Sequence, residues 1–402
     1  MSTYAAELAH RIEQARSQAS QFFDSLRIPT GYKYTSTHQI ESFPAAILYG
    51  TWAAVLGASL ASNCRGFSSD DKLWALEVLT KHRRPDGVFR PCGLDRIATS
   101  KSVEYLVLHC TNYASGAALE IDPNWDFRTT YLDRFLDPDT LAQWLDGRSL
   151  ARPWEEGNNI VNIASYLALC DKRGISLAKE RLYQLLEWHY LWQNPKTGGF
   201  DAFSSPSFGQ RLQSLAGAVH NFHLHLYLRE PLRCEEVIAS NLPPYLVMGR
   251  LTACLSIDFV ELALRTLPFS PDPQLLVDVL LFHAEALLKS QRSDGGWLEA
   301  ENDSTPTSAA GFSDKVPASC SYATWFRLAA LGMIAVVLLK DSPERWGFRK
   351  SLGMGYAPDY WPSLPSGVEI SPPTWKALAH LRARVLPQQA KSIMIRFAGK
   401  FI

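Results

Sequence analysis

Asp258 is the residue whose setting most invites chemistry. In Ala253-Cys-Leu-Ser-Ile-Asp-Phe-Val-Glu261 it lies among Leu255, Ile257, Phe259 and Val260, with Cys254 four residues before it. On a helix Cys254 and Asp258 share one face. A carboxyl group in apolar surroundings has its charged form disfavoured, which prepares it as a general acid or a poised base. The plainer alternative is an aspartate that caps a helix or faces water. A second segment, Ala218-Val-His-Asn-Phe-His-Leu-His-Leu-Tyr227, holds three of the ten histidines. His220 and His223 are three apart and His223 and Tyr227 four apart, so one face would carry an imidazole base with a phenol as its hydrogen-bond partner. His225 points elsewhere, and structural core histidines are the competing reading. This chemistry requires no cofactor.

Two further groups are candidates for binding. Pro153-Trp-Glu-Glu-Gly-Asn-Asn-Ile-Val-Asn162 gathers carboxylates and amides at an expected helix start. They either cap the helix or grip a polar ligand through Glu155, Glu156, Asn158 and Asn159. In Ser319-Cys-Ser-Tyr-Ala-Thr-Trp-Phe-Arg327, Tyr322 and Trp325 are three apart on one face. With Tyr113 they would form an aromatic wall, and each ring face stabilises a cation by about 0.5–2 kcal/mol. Core packing accounts for them equally well. Asp201 and Asp294 follow or occupy glycine turns and read as turn residues.

Helices must position all of these. Apolar residues at helical spacing mark Tyr4–Leu26, Phe43–Leu60, Asp70–His82, Ser102–Glu120, Asn159–Lys172, Leu177–Trp192 and Gly209–Leu228. The same spacing continues over Cys234–Met248, Cys254–Leu267, Pro273–Ser290, Tyr322–Lys340 and Pro373–Val385. No alternating run with hairpin turns calls for a sheet. One phrase recurs: an amphipathic helix, a glutamine or basic residue, then a glycine turn closed by an aromatic. It occupies Leu287–Trp297, Tyr190–Phe200 and, more loosely, Thr80–Phe89. Weaker copies fall at Trp154–Gly157 and Met248-Gly249. Helix pairs that cannot bury their apolar faces alone must stack on their neighbours. The fold expected is all-α, an (α/α)6 toroid of antiparallel helix pairs in a single domain over 1–402. A loop rich in Ser, Thr and Pro would lie at 302–317 and a loop-rich cap at 346–372.

The Gln-x-x-x-Gly-Gly-Trp string at 291–297 resembles the QW-type repeat of terpenoid cyclases and protein prenyltransferase β-subunits. His109-Cys-Thr-Asn-Tyr-Ala-Ser-Gly-Ala-Ala-Leu119 is similar to inner-helix openings of that superfamily. The resemblance implies the toroid and an apolar central cavity, and the Asp, Cys and His zinc set of the prenyltransferases makes zinc on Cys254, Asp258 and His220 an option, although the spacing differs from that family's ligands. It does not extend to the family's Asp-x-Asp-Asp acid motif, which this chain lacks. Leu136-Asp-Pro-Asp-Thr140 is the nearest string, and its Asp137 or Asp139 reads as a helix cap. No Asp-Asp-x-x-Asp magnesium site occurs either; Asp70-Asp71 opens a helix.

The function expected is therefore a non-canonical cyclase-like enzyme. It would cyclise, isomerise or eliminate on a largely apolar small molecule, with Asp258 as acid, His220 or His223 as base and Tyr227 beside them. Tyr113, Tyr322 and Trp325 would form its wall, and Glu156 and Asn159 would bind. One rival is a carbohydrate-active barrel using Glu155, Glu156 and Asp201; another is a non-catalytic scaffold. Lysine plus arginine equal aspartate plus glutamate at 40 each, so no basic stripe invites nucleic acid. Seven scattered cysteines without a Cys-x-x-Cys pair suit free thiols in the cytoplasm. Leu328–Leu339, the most apolar run, is too short to span a bilayer.

Overall fold

A computed structural model describes residues 2–37, 44–62, 67–90, 102–248, 251–300, 317–346, 361–373 and 378–383. The chain is all-α. Its helices are α1 Thr3–Ser25, α2 Pro44–Ser62, α3 Ser69–Lys81, α4 Val103–Ile121, α5 Thr130–Asp133, α6 Pro138–Asp146 and α7 Pro153–Lys172. They continue with α8 Ala178–Trp192, α9 Phe208–Leu228, α10 Glu235–Asn241, α11 Pro243–Leu246, α12 Ala253–Thr266, α13 Pro273–Ser290 and α14 Ser321–Leu338. Residues 378–383 are also helical. Among the described residues the only strands are the two-residue pair β1 Arg27–Ile28 and β2 Gly31–Tyr32.

Six helices, α2, α4, α7, α9, α12 and α14, are buried on nearly every side, as helices apolar all round must be. α2 packs on α4, α4 on α7, α7 on α9, α9 on α12, α12 on α14, and α14 back on α2. The succession closes on itself. Four of the other helices pack from outside against this circuit: α1 on α2 and α14, α3 on α2 and α4, α8 on α7 and α9, α13 on α12 and α14. In α1 the buried stripe is Ala5, Leu8, Ile12, Ala15, Ala19, Phe22 and Phe23, the residues that periodicity marks. α14 is long and apolar enough to cross a bilayer, longer than the run the sequence suggested, but its whole length is buried inside the protein.

The recurring phrase has one backbone form. After α3, α8 and α13, a tight turn closes around Gly87, Gly198 and Gly295, all with φ between +78° and +88°, the left-handed region glycine favours. Arg84, Asn194 and Arg292 donate their N–H to the carbonyls of Val88, Gly199 and Gly296. The leading side chain then bridges to the next repeat. Gln291 Nε2 donates to Gly295 O and to Ala15 O of α1, both at 2.9 Å. Gln193 Nε2 donates to Gly198 O at 3.0 Å and Arg233 O at 3.1 Å. Arg83 reaches Gly87 O at 3.2 Å and Arg128 O at 2.6 Å. The residue after the turn is tied to an inner helix: the N–H of Phe89 donates to Thr111 Oγ1 in α4, and that of Trp297 to Thr324 Oγ1 in α14, each at 3.0 Å. Tyr32 repeats this contact with Thr51 of α2 at 3.1 Å, after Gly31. A further copy therefore stands at Gly31-Tyr32, where no glutamine announces it. Trp154–Gly157 is no copy, because it lies inside α7. Gly249 of the other weak copy lies outside the described residues.

Other boundaries also moved. The helix expected over Cys234–Met248 is two, α10 and α11, because Pro243 and Pro244 cannot continue α10. The helix expected from Asn159 begins at Pro153, a favoured first position. Asp137 caps α6, accepting from Thr140 N at 2.8 Å, and Asp71 closes a capping box with Ser68. The loop at 302–316 and most of the 346–372 cap lie outside the described residues. Within 361–373, Trp361 lies over Arg265 of α12 at 4.0 Å, and Glu369 pairs through its backbone with Gln274 of α13.

Candidate functional site

The N-cap of α12 is Thr252, whose hydroxyl accepts from Leu255 N, so Asp258 is no cap. It is fully buried. Cys254 Sγ donates to Asp258 Oδ2 at 3.8 Å, while Oδ1 has no hydrogen-bond partner among the described residues. Burial, and then the neighbouring charge of Glu261, hold the Asp258 carboxyl well above the usual range, against a smaller opposing pull from Cys254. The proton-bearing form is favoured.

One turn on, Glu261 has the opposite fate. Burial pushes it up too, but His223, Arg265 and His220 together outweigh burial and leave it below the usual range. His223 Nε2 lies 3.1 Å from Glu261 Oε2, and Arg265 Nη2 lies 3.8 Å from Oε1. Two carboxyl groups three residues apart are thus shifted in opposite directions by their surroundings. His220 Nδ1 sits 2.7 Å from the Ala216 carbonyl, which only accepts, so Nδ1 carries a proton and a neutral ring keeps its lone pair on Nε2.

α9 and α7 approach each other closely through two glycines. A Cβ on Gly157 would lie 2.6 Å from Gly217 O, and one on Gly217 would lie 2.2 Å from Pro153 O. No larger residue allows that approach.

The aromatic residues assemble on α14, α2 and α4. Trp52 of α2 stacks on Tyr113 of α4, with ring centroids 5.0 Å apart, and meets Trp325 of α14 edge-on at 5.7 Å and Tyr322 at 5.9 Å. Tyr113 meets Trp325 at 5.5 Å and His109 at 4.5 Å, and Tyr105 stacks on His109 at 5.4 Å. Tyr113, Tyr322 and Trp325, singled out in the sequence, do meet; Trp52, at their centre, was hidden in a run apolar throughout. The phenols of Tyr105 and Tyr113 are pushed up by burial first, then by the charges of Cys254 and Asp258 among others.

Other expected residues are placed elsewhere. Tyr227 donates to Asp171 Oδ2 at 2.7 Å at the far end of α9, so its proton is committed there, and Glu261 is the carboxylate on His223. Glu156 is held by Arg148, the Ser149 N–H and Asn159 at 3.1–3.2 Å. Asp201 accepts from Asn194, Thr197, Ser214 and the Phe203 N–H, a turn role that occupies both its oxygens. His225 pairs with His189 at 3.2 Å, away from His223. Among the described residues no three His, Cys, Asp or Glu side chains converge as metal ligands, so Cys254, Asp258 and His220 form no zinc set. The described cysteines, Cys110, Cys170, Cys234, Cys254 and Cys320, are free thiols. The chain matches no protein-family model and no curated protein.

Proposed function

We propose that the closed circuit is an (α/α)6 toroid of the terpenoid cyclase-like kind, working in the cytoplasm on a largely apolar small molecule by acid–base isomerisation, cyclisation or elimination. The single observation that carries the chemistry is geometric: Asp258, fully buried with Oδ1 unpartnered among the described residues, lies one turn from Glu261, which His223 and Arg265 hold. The Asp258 proton adds to an alkene carbon, forming a C–H bond and leaving a carbocation. Trp52, Tyr113 and Trp325, packed together from α2, α4 and α14, serve as the aromatic wall in this reading, since ring faces stabilise cations. His223, anchored by Glu261, takes a proton from a neighbouring carbon, so a new alkene forms and the proton count balances. Burial excludes the water that would otherwise quench the cation.

The test is turnover of linear polyene isoprenoids, with products read by mass spectrometry. Asp258→Asn is expected to abolish product and Asp258→Glu to retain part of it. Full turnover by Asp258→Asn would remove Asp258 from the acid role. A second reading, a non-catalytic scaffold, is favoured by one fact: Trp52, Tyr113, Tyr322 and Trp325 are only 0–3% exposed and pack on one another as a filled core does. Wild-type protein that turns over no alkene would favour it.

A further inference from the structure

Asn112 of α4 and Asn162 of α7 are both buried, and Asn112 Nδ2 donates to Asn162 Oδ1 at 2.7 Å. That bond uses one end of each amide. The other ends, the acceptor Asn112 Oδ1 and the donor Asn162 Nδ2, have no hydrogen-bond partner among the described residues, nor does Ser165 Oγ one turn further along α7. Buried amide atoms left without partners are destabilising, and native proteins retain few of them. The bonded pair therefore leaves one acceptor and one donor unused, three residues along α4 from His109 and next in sequence to Tyr113.

We infer that the Asn112–Asn162 pair is a subsite for a hydroxyl group of the substrate. An alcohol O–H is the smallest group that both donates, to Asn112 Oδ1, and accepts, from Asn162 Nδ2. The inference deepens the function proposed above and rests on it for the rest of the ligand, an apolar body against the aromatic arc. The substrate class is then an isoprenoid alcohol rather than a bare hydrocarbon. Around the circuit, aromatic residues occupy α14, α2 and α4, while amides and ionisable groups occupy α7, α9 and α12; the amide pair joins the two arcs where α4 meets α7.

The test compares thermal shifts and dissociation constants for three probes, farnesol, farnesene and methyl glucoside. Wild-type protein is expected to bind farnesol about tenfold more tightly than farnesene, the scale of two buried hydrogen bonds. In Asn112→Leu/Asn162→Leu the preference is expected to vanish while the ligand-free melting temperature holds or rises, because two unpartnered amides are gone. Asn162→Leu alone removes the donor together with its half of the interhelix bond; it too is expected to lose the preference, whether or not the double variant folds. Equal binding of the two isoprenoids to wild type, no binding of any probe, or a preference that survives in Asn162→Leu would overturn the subsite. So would a marked fall in the double variant's melting temperature with no change in preference, the mark of a structural water only. Methyl glucoside binding that the substitutions abolish would keep a hydroxyl subsite and overturn the apolar substrate. Loss of the acid role for Asp258 would sink the chemistry and leave these binding results standing.

Discussion

Asp258 and Glu261 differ by one methylene and three positions, yet their surroundings separate them: one has a weak thiol donor, the other an imidazole and a guanidinium. The cost of that arrangement gives a prediction. The folded carboxyl of Asp258 is raised, so the folded state holds its proton more tightly than the unfolded chain, and stability is lost as pH rises above the unfolded value near 4. Asp258→Asn escapes that loss and is expected to melt at a higher temperature than wild type at pH 8, the gap closing toward pH 4. A lower melting temperature at pH 8 would mark Asp258 as structural. The buried histidines act in the opposite window. Burial lowers His225 to about 4 and His283 to about 3, and drives His189 down as well. Unfolded histidines take up protons near 6.5, so stability is full above that pH and is lost progressively as pH falls toward 4. Melting curves at pH 7 and pH 4.5 check it, and His225→Gln should flatten the slope. Asp258 was legible in sequence because its flanks are apolar. Glu261 was not, because its imidazole partner arrives from 38 residues away on another helix.

The elements owe their ends to the glycine turns. Gln291 makes two hydrogen bonds, one to its own turn and one to α1, so Gln291→Ala is expected to lose about 1–2 kcal/mol in denaturant unfolding. Gly295→Ala should lose more, about 2 kcal/mol or above. Its φ of +85° disfavours a side chain, and a Cβ there would lie 2.3 Å from Gln18 O of α1. Variants as stable as wild type would mean the turns are mere connections. Three of these turns could be read directly, since an aromatic stands two residues after the glycine and Gln or Arg four or five before it. The fourth, at Gly31-Tyr32, could not: Ile28-Pro-Thr precedes its glycine and no bridging glutamine is present. What identifies it is the threonine of the inner helix, a tertiary partner that no local string contains. The same limit divided α10 from α11, where apolar spacing ran on through two prolines that the backbone could not follow.

At the scale of the molecule, the first and last helix pairs share a seam. Gln291 holds α1, Ser321 N–H donates to Tyr34 O at 2.9 Å, Cys320 bridges Thr35 and Trp297, and α14 packs along α2. A linear array of repeats loses stability in steps when an end is trimmed. A closed circuit loses its seam. A chain ending at Ser290 is expected to show no cooperative thermal transition by circular dichroism; a sharp transition with only a lowered midpoint would make the seam incidental. All-α content and paired helices were readable from periodicity, but closure depends on contacts between residues 276 apart and has no local signature. The seam also sets the order of events during synthesis. Ala15 leaves the ribosome tens of seconds before Gln291, at roughly 5–20 residues per second. Throughout that interval the apolar faces of α1 and α2 have emerged and their final partners do not yet exist. A protein built this way has a long nascent adolescence, so its yield in a cell should depend on chaperone capacity and translation speed more than its folded stability suggests.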